Sequence, residues 1–142
     1  MKARIKWIGE RNFVGESGTG HAVVLGASPG PGQAGLGASP MELVLIGMGG
    51  CTAFDVVHIL EKGCERIEDC TAELEATRAE TDPKVFTQIH VHFVVTGRGL
   101  SRDKVERAIK LSAEKYCSAS AMIAKTAAIT HDFEVVGTGE GI

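Results

Sequence analysis

Four cysteines and five histidines hold most of the reactive chemistry open to this chain. Cys51 follows Gly49-Gly50 in a long apolar stretch, where missing side chains leave room beside the sulfur for a small ligand or a partner residue. Asp55 and His58 come one and two helical turns later, so the three share one helical stripe. His58 stands about 10 Å along the axis from the thiol, beyond direct contact, and reads better as a helix-face or interface residue. Asp55, if close and unpaired, would disfavour a thiolate. Cys117 ends Glu114-Lys115-Tyr116-Cys117 and precedes a helix start, where free amide groups favour ionised sulfur. For both cysteines the bland alternative is a buried thiol that packs as a small hydrophobe.

The remaining reactive groups are less suggestive. Cys64 and Cys70 flank the polar run Glu65 to Asp69 and read as structural thiols; no C-x-x-C pair exists, and four scattered cysteines do not make a disulfide-rich secreted fold. His90 and His92 share one face of a strand as two possible metal ligands. A tetrahedral site needs more, no third ligand stands near them in sequence, and so they are expected to face solvent or a dimer contact, with no metal bound. Glu42 is explained by a helix cap with Ser39. Arg4, Arg11 and Lys115 are the cations available to a thiolate.

Positioning these residues requires an ordered set of elements. Ala3 to Trp7, Asn12 to Glu16 and His21 to Leu25 read as short strands in a meander, with a turn at Gly9 to Asn12. Gly26 to Gly37 is a loop; its glycines are not followed by Lys-Ser/Thr, which removes a phosphate loop, and no cofactor is expected. Ser39-Pro40-Met41-Glu42 starts a helix that runs from Met41 to Lys62 and stops at Gly63. Gly47, Gly49 and Gly50 inside it cost roughly 1 kcal/mol each and so need close packing or a functional reason. Glu68 to Arg78 and Val85 to Thr96 are strands joined by a turn at Thr81 to Lys84. In the second, Ile89, Val91, Phe93 and Val95 share one face and Gln88, His90 and His92 the other. Ser101 caps a helix with core positions Val105, Ala108, Ile109 and Leu111 that ends or bends near Tyr116 to Ser118. Ala119 to Ala127 is helical again, Ile129 to Val136 a last strand, and a glycine-rich tail follows.

The order β-β-β-α-β-β-α-α-β is α+β. The 142 residues fit one domain, 1–142. A formal charge of −3 from 15 basic and 18 acidic residues, with signs interspersed, leaves no face for a phosphate backbone, so no nucleic acid is expected. Met1 to Lys6 alternates charged and apolar residues, unlike a secretory signal, and the longest apolar run, Met41 to Cys51, contains Glu42 and three glycines, short of the ~20 residues of a membrane span. The expectation is a cytoplasmic protein with no membrane partner. A helix as apolar as Met41 to Leu60 needs cover on most sides, which a dimer would supply.

Ser39-Pro40-Met41-Glu42-Leu43, Gly49-Gly50-Cys51-Thr52-Ala53-Phe54-Asp55-Val56-Val57 and Glu114-Lys115-Tyr116-Cys117 together resemble the OsmC/Ohr superfamily, and within it the YhfA-like branch. The resemblance spans nearly the whole chain. It implies an intertwined homodimer with central helices packed against antiparallel sheets and a site at the subunit interface. It also implies a thiol-dependent hydroperoxide reductase: Cys51 attacks the peroxide and becomes sulfenic acid, Cys117 resolves it as a disulfide, and an external dithiol restores both. The catalytic glutamate of such enzymes directly follows the proline; here that position is Met41, and Glu42 comes one residue, about 100° of helix, later. Arg11 matches the region of their catalytic arginine, with Arg4 behind it. The other reading on this scaffold is a non-enzymatic dimer that senses redox state or binds a small apolar molecule.

Overall fold

Alternation of apolar and polar residues in the first 26 residues folds as an antiparallel meander, β1 (Ala3–Gly9), β2 (Asn12–Ser17) and β3 (Ala22–Gly26). Ile5 pairs with Gly15 and Gly15 with Val23; Trp7 pairs with Phe13 and Phe13 with Leu25, so these residues line one face. The face is largely uncovered: Ile5 is 61% exposed, Trp7 64% and Val23 46%. The loop after β3 is tied back by Gly26 N–H donating to the Ala38 carbonyl and by Leu36 N–H reaching the buried Asn12 side chain. Gly37 is required there, because a Cβ would strike the Val24 carbonyl.

The computed structural model describes residues 1–28, 30–33 and 35–139; the end of the expected glycine-rich tail lies outside them. They form two units, Met1–Ile46 and Gly47–Ile142, with helix α1 (Pro40–Lys62) running from the first into the second. Its start is the expected capping box: Ser39 Oγ accepts from Glu42 N–H at 3.2 Å, and the Glu42 carboxylate accepts from Ser39 N–H at 2.7 Å.

In the second unit, β4 (Arg66–Arg78) pairs antiparallel with β5 (Phe86–Arg98), and β6 (Ala128–Gly137) joins the other edge of β5. The expectation of antiparallel sheets holds for every pair but this last one, which is parallel. The connection through α2 (Arg102–Leu111), a π-turn (Ser112–Tyr116) and α3 (Ser118–Ile123) is long enough to return the chain to the end of the sheet where β5 began. The α+β class stands.

Core and outer faces of β5 divide as the alternation requires: Ile89, Val91, Phe93 and Val95 are buried. Met48, Thr52, Val56 and Leu60 form the buried stripe of α1 at four-residue spacing, and Val105, Ala108 and Ile109 that of α2. Gly49 meets the need for close packing, since a Cβ there would come within 2.8 Å of Leu74. Gly47 and Gly50 face open space, and Phe54 is 70% exposed.

Two details depart from expectation. The whole of α1 is long and apolar enough to cross a membrane, with a mean hydropathy of 1.9 over 18 residues, because an α-helix carries Glu42 and the three glycines without a break. Its end is a Schellman motif in which Cys64, not Gly63, takes the left-handed conformation (φ 58°), with Glu65 N–H on the Leu60 carbonyl and Cys64 N–H on that of Glu61. Glu65 then pairs with Lys104 at 2.7 Å and accepts from Ser101 N–H at the start of α2, contacts that hold its carboxyl below the usual range.

The backbone at Cys64 disfavours any side chain, and a β-branched one most. In chemical denaturation, Cys64→Gly is expected to be more stable than Cys64→Val by about 1–2 kcal/mol. Equal stabilities would show that this φ costs nothing.

Candidate functional site

The site lies in the second unit, where α1 meets the π-turn. Cys51 and Asp55 sit one turn apart on α1 and are half-buried; Cys117, just after the π-turn, is 3% exposed. The two sulfurs and a carboxylate oxygen of Asp55 all lie within 4.8 Å of one another. Two sulfurs and a carboxylate could also hold a soft divalent metal.

A buried chain of hydroxyls fixes this arrangement. Ser112 Oγ is 2.9 Å from Asp55 Oδ2 and 2.8 Å from Thr52 Oγ1. A carboxylate only accepts, so Ser112 donates to Asp55, and Thr52 must then donate to Ser112. Both hydroxyl residues are fully buried. The backbone carbonyl of Ser112 accepts from Cys117 N–H at 2.8 Å, closing the π-turn, so one residue holds both Asp55 and the second cysteine.

Cys117 itself caps α3: its sulfur accepts from Ser120 N–H at 3.3 Å and from Ser120 Oγ at 3.0 Å. Burial pushes the Cys117 thiol above its usual pKa; the two Ser120 donors oppose that shift, and nearby Cys51 adds to it. Cys70 is likewise raised by burial, then by Asp69, and Cys64 is exposed.

Of the expected site residues, Cys51 and Cys117 are brought together. Glu42 and Arg11 belong to the first unit. The Glu42 carboxylate is committed to the Ser39 cap, and Arg11 stands exposed at the β1–β2 turn. His58 stacks on Phe54, as a helix-face residue. Asp55 is close to the thiols but is paired, with Ser112 from 57 residues away in sequence. Ser112, Thr52 and Ser120 were missed as well. A signal existed for two of them: Thr52 interrupts the apolar stripe Met48, Val56, Leu60, and Ser112 continues the stripe Val105, Ala108. A hydroxyl on a core stripe needs a partner there.

Residues 30–132 match the model of the OsmC-like protein family. The chain belongs to the OsmC family. It is 47% identical over 136 residues to the protein YhfA of Escherichia coli strain K12, an alignment covering 96% of this chain and 98% of that one. This is the branch named by the motifs around Cys51 and Cys117. A hypothetical protein from Aquifex aeolicus VF5 has a solved structure that superposes with a TM-score of 0.86 at 29% identity, over 97% of each chain. An organic hydroperoxide resistance protein from Legionella pneumophila has the same fold, with a TM-score of 0.70 at 21% identity over 94% of this chain and 96% of that one.

Two consequences of the OsmC site geometry are measurable. Ser112→Ala leaves a buried hydroxyl and a carboxylate oxygen without their partner and should cost about 1–3 kcal/mol in unfolding free energy. Ser120→Ala removes a donor that favours the Cys117 thiolate, so the pH midpoint of Cys117 alkylation should move up. A midpoint that stays or falls would show that the hydroxyl does not act on the sulfur.

Proposed function

We propose that this chain is a two-cysteine hydroperoxide reductase. The observation that carries the reading is the pair of sulfurs within 4.8 Å of each other and of one carboxylate. Cys51, the more accessible of the two, attacks a peroxide oxygen as the thiolate. The O–O bond breaks, an alcohol leaves with a proton, and Cys51 becomes sulfenic acid. Cys117 then attacks the Cys51 sulfur, the S–S bond forms, and the hydroxyl departs as water. Because burial keeps Cys117 protonated, this step needs a base in reach. Asp55 takes that role: it accepts the Cys117 proton and returns it to the leaving hydroxide. An external dithiol reduces the disulfide.

Arg11 and Glu42, which the family resemblance points to, belong to the first unit, where Arg11 is exposed and Glu42 keeps its capping role, so the cycle is written with residues of the second unit alone. The protein acts as one domain and as a homodimer in the cytoplasm, where thiols are kept reduced. The open apolar face of β1–β3 and the exposed side of α1, with Ile46 and Phe54, support the dimer, because apolar area left in water forgoes about 25 cal/mol per Å². The name of the Legionella protein, an organic hydroperoxide resistance protein, supports an organic peroxide as substrate.

One observation favours a second reading. Met41 leaves the position after the proline without a carboxylate, and Glu42 beside it is bonded to the Ser39 amide, which suits a non-enzymatic dimer that binds a small apolar molecule.

Mass analysis of fully reduced protein after one equivalent of an organic hydroperoxide separates the two. The reductase forms a Cys51–Cys117 disulfide, Cys117→Ser stops at Cys51 sulfenic acid, and Asp55→Asn accumulates that acid while disulfide formation slows about 10²-fold or more. Both thiols persisting while peroxide remains in solution would sink the enzymatic reading.

A further inference from the structure

The outer face of the β4–β5–β6 sheet carries a second cluster, built independently of the cysteines. His90 and His92 alternate with the core residues of β5 and project from the opposite face. Asp132 on β6 is in register with His92, and its Oδ1 lies 2.8 Å from His90 Nε2 and 2.7 Å from His92 Nδ1. Two imidazoles at i and i+2 thus converge on one carboxylate supplied some forty residues later. The side chains are open to solvent, 44%, 31% and 60% exposed.

We propose that His90, His92 and Asp132 form a binding site for a borderline divalent cation such as Zn²⁺. Neutral imidazole and carboxylate are the donors such ions prefer, and three protein ligands leave a fourth position for water or a small anion.

The surroundings complete the argument. A histidine that ligates a metal through one nitrogen carries its proton on the other, where it needs an acceptor. His90 Nδ1 lies 2.7 Å from Thr130 Oγ1, a hydroxyl that can accept as well as donate. His92 Nε2 faces the Glu134 carboxylate at 3.9 Å. Each ring can therefore move its proton to the far nitrogen and free the near one. Across β4, Glu73 pairs with His92 and Glu75 with His90, so acidic residues flank the imidazoles on both sides and favour a cation. With Zn–N and Zn–O bonds of about 2.0–2.2 Å, neighbouring ligand atoms of a tetrahedral site stand roughly 3.3 Å apart, so the cation takes the place of the shared protons and the two hydrogen bonds open by about half an ångström through side-chain rotation. Strand backbones fix the three Cα positions while this happens.

The test is calorimetric titration of Zn²⁺ into the full chain carrying Cys51→Ser and Cys117→Ser, which removes the competing cluster at Cys51, Asp55 and Cys117. One ion per chain is expected. On this background His92→Ala and Asp132→Asn should each weaken binding by roughly tenfold or more, and His21→Ala should not; Glu134→Gln, acting through His92, should fall within about tenfold to a hundredfold. In the unmodified reduced protein, Zn²⁺ should shift the ring-nitrogen resonances of His90 and His92 and leave those of His58 and His131 in place. Affinity unchanged in His92→Ala and Asp132→Asn, or unmoved His90 and His92 resonances at saturating Zn²⁺, overturns the proposal.

Discussion

The hydrogen-bond chain Thr52 to Ser112 to Asp55 is the constraint on which the site depends. Its direction follows from chemistry, because the carboxylate at its end can only accept. It is buried, so each hydroxyl would lose far more by having no partner than it gains by having one. Ser112 is the hinge of the arrangement. Its side chain fixes Asp55 on α1 and its carbonyl fixes the amide of Cys117. The separation of the two sulfurs therefore follows from one residue in a π-turn, together with the α-helical spacing that sets Cys51 one turn from Asp55. A π-turn widens the helix by one residue, and such widenings recur where a side chain must be aimed.

The same geometry makes the two cysteines unequal. Cys117 is enclosed and holds two donors from Ser120, an environment that orients the sulfur while burial keeps it protonated. Cys51 is more open, beside Gly50, which has nothing within 4 Å of where a Cβ would be. An enclosed thiol near a base suits an internal second step, and an accessible thiol beside empty space suits the first encounter with a small molecule. In the proposed cycle these roles follow from accessibility and need no difference in intrinsic sulfur chemistry.

Local patterns carried the element order and most boundaries. The capping box at Ser39, the alternation in β5 and the Ser101 cap are determined by neighbours in sequence, and they appear where the residues indicated. What sequence could not show was pairing between distant segments. Nothing near His90 and His92 hinted at Asp132, because the parallel register of β5 and β6 is set by a crossover of some thirty residues. Likewise Asp55 looked hostile to a thiolate because its partner, Ser112, stands 57 residues away. The helix stops at Gly63 as its residue type indicates, but the left-handed conformation falls one residue later, at Cys64, where the Schellman bonds place it.

Helix α1 shows why composition alone is a poor guide to surroundings. By length and hydropathy it could lie in a bilayer. Its polar residues argue otherwise. A carboxylate at Asp55 would be costly in hydrocarbon, whereas here it is bonded to a hydroxyl of the π-turn and lies beside two sulfurs. Thr52, on the buried stripe, finds the same partner. The stripe at Met48, Val56 and Leu60 is covered by this chain's own core, and the side bearing Phe54 is not. A helix with one face sealed by its own sheet and the other apolar and open is what a protein needs when a second copy completes the cover. Under the dimer proposal, the hydropathy that resembles a membrane span is the ordinary requirement of a helix buried from two sides.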